Sequence, residues 1–205
     1  MRREIHLVQD GPKERLLCHE CEQRISRYEK YFKEAIHLSR HGIEIVQAGG
    51  EAIIQNLDYR RVKLFLLSIL WRMSVSSLPQ CQMVALGEAE EVIRRRVLQG
   101  DPGESQEFAV SGAILLINGK MEESVLCTPF VSTQNNAYAL VVGGILYFVS
   151  IGESPAVLGP RYLLNESGDW IMPVVDFDKI SFLGAFLTRN SGTECSIEGA
   201  SEEGT

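Results

Sequence analysis

At 205 residues, 45% apolar and 23% charged, the chain has the composition of an ordinary globular protein that buries one core without disulfides. A formal net charge of −7 excludes wholesale wrapping of nucleic acid and leaves only a local basic patch for such contact. The five scattered cysteines do not read as a secreted disulfide framework, and no apolar run approaches the ~20 residues a bilayer span requires. No signal-peptide pattern follows Met1-Arg2-Arg3-Glu4, so the expected compartment is the cytosol.

Residues 4–9 read as a short strand, and Asp10-Gly11-Pro12 as a turn. From about Glu20 to Ser39 there is no Gly or Pro, and Ile25, Tyr28, Phe32, Ala35 and Ile36 recur at helical spacing, which predicts an amphipathic helix. His41-Gly42 ends it. Ile43–Val46 and Ala52–Ile54, flanking Gly49-Gly50, read as a hairpin. Asp58 then caps a second helix over about Tyr59–Ser76, apolar on nearly every side and so expected at the centre of the fold.

Pro79 breaks the chain before a third helix, about Gly87–Leu98. Beyond Gly100-Asp101-Pro102-Gly103 the period falls towards two. Strands are predicted at Glu107–Ile117, Ser124–Val131, Ala137–Val142, Ile145–Ile151 and Trp170–Val175. Asn118-Gly119 reads as a hairpin turn, and Gly143-Gly144, between two apolar runs, as a turn or a bulge. Pro173 predicts an edge position for the last strand. The expected class is α+β, with about three helices in the N-terminal half packed on a mostly antiparallel C-terminal sheet. The expected organisation is a zinc-knuckle-like segment and amphipathic helix over 1–41, an α+β domain over 42–188, and a disordered acidic tail over 189–205.

Chemistry concentrates at the start of the first helix. Cys18-His19-Glu20-Cys21 places two thiols at metal-ligand spacing, half of the four ligands that a closed tetrahedral zinc site needs. His37 and His41 complete a finger-like spacing. Yet a continuous helix from residue 21 to 37 separates Cys21 from His37 by about 24 Å, so both histidines are expected as residues complementing the helix C-terminus. His6 and His19 are the other imidazoles within sequence reach. A redox dithiol is not expected, because no βαβ pattern surrounds the pair.

Charge is uneven. Residues 1–40 hold nine Lys/Arg against seven Asp/Glu, and the rest eleven against twenty. Arg24, Arg27, Lys30 and Lys33 therefore form the candidate nucleic-acid contact, with phosphates as their target. The competing expectation is a solvated face closed by Glu29–Lys33 and Lys30–Glu34 pairs. On the third helix, Glu90–Arg94 and Glu91–Arg95 pairs are expected in the same way.

The stretch from Gln9 to Gln23 with its Leu-Cys-x-x-Cys-Glu knuckle, the continuation Ser26–Phe32, and Leu64–Arg72 downstream resemble bacterial and phage-associated HNH-endonuclease-like proteins. Members of that group typically carry an earlier Cys-x-x-Cys and a Ser-His-Ile-Ile-Pro segment; this chain has neither. The resemblance implies that Cys18 and Cys21 are half of a four-cysteine zinc knuckle, and that the nuclease's water-activating histidine has no counterpart here. The function it implies is a truncated or degenerate, non-catalytic relative acting as a binding or interaction module, with zinc shared between two chains of a homodimer or with a partner protein. The alternatives are a nuclease whose catalytic histidine comes from another chain, and a metal-free protein-interaction domain.

Overall fold

A computed structural model of the chain describes residues 14–117, 119–121, 126–132 and 136–177. The strand expected at 4–9, the Asp10-Gly11-Pro12 turn and the acidic tail at 189–205 lie outside the described residues. Three α-helices are present among those described: α1 (His19–Phe32), α2 (Tyr59–Ser74) and α3 (Ala89–Gln99). The strands are β1 (Glu44–Ala48), β2 (Glu51–Gln55), β3 (Val110–Ile117), β4 (Lys120–Met121), β5 (Leu126–Ser132), β6 (Ala137–Val142), β7 (Ile145–Ser150) and β8 (Trp170–Asp176). The fold is α+β, and β1 and β2 form a hairpin between the first two helices.

The helices form where the pattern placed them. Asp58 caps α2 by accepting the Arg61 backbone N–H at 3.0 Å, and the hydroxyl of Tyr31 on α1 accepts the Asp58 backbone N–H at 2.7 Å. One contact thus fixes the start of α2 against the first helix. The last turn of the first helix widens into a π-helical segment, Lys33–His37, after which Ser39 and His41 turn the chain with positive φ. Gly100 ends α3 in the left-handed conformation that a C-terminal glycine allows.

The strand order is β1-β2-β8-β3-β7-β6-β5, with β4 paired to β3 as a short hairpin arm. Every pairing is antiparallel except β3 with β8. Period two decides the packing. Tyr138, Leu140, Ile145, Tyr147 and Val149 join Ile25, Phe32, Leu66 and Leu70 in the helix-side core. The alternate residues Ala139, Val141, Leu146 and Phe148 face the other way and are covered by Val157, Leu158 and Phe177. The central strands are therefore buried on both faces. This is why they read as near-continuous apolar runs.

Pro173 does not mark an edge. β8 pairs with β2 through Trp170–Pro173 and with β3 through Val174–Asp176, so the proline sits at the handover between two neighbours. A residue without an N–H is tolerated there because the ladder changes partner; Val174, next along, donates to the Gly50 carbonyl at 2.8 Å. The first long strand starts at Val110 rather than Glu107, because the chain turns at 105–108 and Phe108 adopts a positive φ of 49°. Of the two readings of Gly143-Gly144, the turn is the one that forms, with φ of +60° and +75° between the paired Val142 and Ile145.

Candidate functional site

Cys18 is the residue on which α1 begins. Its backbone is extended, and its carbonyl accepts the first helical bond from Glu22 at 3.0 Å. Three residues on, the helix turn returns Cys21 to the same end, and the two sulfurs lie 3.2 Å apart. Cys18 is exposed and Cys21 partly buried. The Cys21 backbone N–H and thiol lower the Cys18 pKa by favouring its thiolate, while the neighbouring Cys18 sulfur raises that of Cys21.

Two thiolates so placed suit a tetrahedral zinc ion. With Zn–S distances of ~2.3 Å, such an ion holds its sulfurs roughly 3.8 Å apart, within side-chain rotation of the observed spacing. Among the described residues, no group of three or more His, Cys, Asp or Glu side chains is placed to hold a metal. The adjacent imidazole of His19 is turned along the helix, its Nε2 2.8 Å from Gln23 Nε2. His6 lies outside the described residues. His37 and His41 stand at the other end of the helix: His37 against Phe32 and over Gly143, His41 with Nε2 2.9 Å from Glu34 Oε2. A self-contained two-cysteine, two-histidine finger is not formed.

Arg24, Arg27, Lys30 and Lys33 are all exposed, and each step of three turns them about 60° further round the solvent side of the helix. The expected i,i+4 pairs do not close. Glu29 is drawn to Arg72 of α2 at 2.8 Å, and that guanidinium is aimed at α1 because its Nε donates to the Ser68 carbonyl. Glu34 is engaged by His41 and Arg40, and the His41 contact is the main cause of its lowered pKa. Among the described residues, none of the four cations makes an ion pair within 4 Å. Near Cys18, His19, Glu22, Gln23, Ser26 and Arg27 line a shallow depression of about 480 Å³. On α3 the pairing also differs from expectation: Arg94 binds Glu91 through two bonds at i,i+3 spacing, and Arg96 turns to Asp101 and Glu107.

One cluster was not anticipated. Lys63 on α2 is 1% exposed, and its ammonium donates to the carbonyls of Glu104 and Glu107, each at 2.6 Å, and to the Tyr59 hydroxyl at 3.0 Å. Burial brings its pKa down to about 8, against the opposing pull of Glu107 and Glu166. All three donors are used and the nitrogen is out of solvent's reach, so Lys63 ties the 104–107 turn to α2. The signal lay in the helix pattern: Lys63 precedes Leu66, Leu67 and Leu70 on one face, where a cation must be paired or satisfied.

No family model matches the chain, and no curated protein or solved structure matches it.

Proposed function

We propose that this protein is a non-catalytic, HNH-endonuclease-like interaction module in which Cys18 and Cys21 supply two of the four thiolates of a zinc site shared between two chains. The same reading makes α1 its nucleic-acid contact, through Arg24, Arg27, Lys30 and Lys33. The observation that carries it is the joint placement at α1 of a converged thiol pair, Cys18 exposed and Cys21 partly buried, and four cations without contact ion partners among the described residues. When bound, zinc supplies no reaction here; it cross-links. The protein's own contribution is a helix start that brings two sulfurs together and a helix flank from which the carboxylates have been drawn away.

Native mass spectrometry of protein purified without chelator tests the metal and assembly parts together. The expected species is a dimer holding one zinc, converted by Cys18→Ser to a metal-free monomer. A metal-free monomer for the unaltered chain overturns the reading. Filter binding of a short DNA duplex tests the helix: affinity should fall steeply with salt, and more gently in Arg27→Gln/Lys30→Gln. Cleavage of the duplex on addition of a divalent ion would favour the nuclease alternative instead.

A further inference from the structure

A second concavity lies away from α1. It is an open groove of about 890 Å³ between the start of α3, the 104–108 turn and the chain leaving β7. Its volume is that of sites holding small ligands or a few side chains. Its floor is apolar: Leu86 and Phe108 are buried, and Ala89, Val92 and Ile151 are half-buried. Its rim is acidic. Glu88, Glu104, Glu107 and Glu153 line it, and among the described residues no Lys, Arg or His does.

One of these carboxylates, Glu107, is neutralised by Arg96. The other three are exposed, and among the described residues they make no ion pair. The rim is also held in place. Lys63 binds the carbonyls of both Glu104 and Glu107 from beneath, and Phe108 is pinned by its N–H to the Gly152 carbonyl at 3.0 Å. A preorganised rim gives up little side-chain and loop freedom when a partner binds.

An apolar floor under a fixed anionic rim matches one kind of occupant. Lysine and arginine lay their methylene stems along apolar surface and keep their head groups in polar surroundings. We infer that this groove docks a basic peptide segment of a partner protein, its lysine or arginine stems on Ala89, Val92 and Ile151 and its head groups at Glu88, Glu104 and Glu153. The inference uses none of the residues of the thiol pair or of α1, so it stands or falls separately from the function proposed above.

Fluorescence anisotropy with a labelled peptide of alternating lysine and leucine, titrated with the full chain at low salt, is the test. Saturable binding is expected, weakened about tenfold by Glu88→Gln/Glu104→Gln/Glu153→Gln, which alters charge but not shape. A peptide of alternating lysine and serine should bind more weakly, because it leaves the floor uncovered. Ala89→Trp, which fills the floor at constant charge, should also weaken binding. A control with the same charge change elsewhere, Glu20→Gln/Glu44→Gln/Asp169→Asn, should bind as the unaltered chain does. Equal losses in the two triple variants would mean that only net charge attracts the peptide, and would overturn the inference. So would sedimentation showing that the chain self-associates through the groove, with the association abolished by the groove triple, since a second copy would then be the occupant.

Discussion

Glu29 of α1 binds Arg72 of α2 at 2.8 Å and thereby leaves Lys33, its neighbour one helical turn on, without the carboxylate that local sequence offers it. The charge on the outer flank of α1 is thus set by the packing of two helices. Arg72→Leu releases Glu29 towards Lys33. The variant should lose no more than about 1 kcal/mol of stability, as a partly exposed pair implies. Its affinity for a DNA duplex should fall, and the salt dependence should flatten by about one counterion. An unchanged slope would show that Lys33 does not meet phosphate.

Lys63→Met keeps the length and apolar stem of the side chain but leaves two buried carbonyls without their donor. It should cost about 2 kcal/mol at pH 7, read from urea unfolding. The pH dependence has a definite sign. Folded Lys63 releases its proton near pH 8, whereas the ordinary value, which the unfolded chain approaches, is 10.5. Between those values the unfolded chain holds more protons, so raising the pH stabilises the fold. The stability advantage of the unaltered chain over Lys63→Met should widen from pH 8 to 10 by about 2 kcal/mol. A constant or narrowing gap would mean that the lysine is not buried as a cation.

Gly143 is bound to its identity twice over. Its φ is +60°, and a Cβ there would collide with the imidazole of His37. Gly143→Ala should destabilise the chain by about 2 kcal/mol, measured by thermal unfolding. Combining it with His37→Ala should recover the collision part of that loss but not the backbone part. If the double variant recovers nothing, the ring does not press on the turn.

Asp58→Ala removes the side-chain cap of α2 without disturbing the backbone bond from Asp58 to Tyr31. The expected loss is about 1 kcal/mol, again by urea unfolding.

Much of the scaffold was legible because its signals are local. Asp58 announces the start of α2, the apolar girth of that helix announces its burial, and Gly143-Gly144 announces the β6–β7 hairpin. The candidate site was legible only in part. Cys18 and Cys21 declare themselves by spacing, but whether Lys33 would be paired depended on Arg72, some forty residues away, and whether Lys30 would be paired depended on His41 and Arg40 beyond the helix end. Pro173 misled for a related reason. A proline forbids a ladder bond at one residue, and sequence alone does not reveal that β8 changes partner at that residue. Lys63 carries a weak signal: a lysine on a helix ordinarily reaches solvent, and only its leucine neighbours mark the buried face it occupies.

The position of β8 also bears on how the chain matures during synthesis. Residues 170–176 are among the last of the described strands to emerge from the ribosome, yet they form the seam between the β1–β2 hairpin and the β3–β7–β6–β5 block. Until that seam is made, the nascent polypeptide carries two unjoined sheet pieces. The facing borders, β2 and β3, are both open to wrong partners. At translation speeds of roughly 5–20 residues per second, the hairpin waits roughly 6–23 seconds for the strand that closes it. Chaperone dependence of this protein in the cell should therefore track the delay between residues 55 and 170, and pausing codons in that interval should lower its soluble yield.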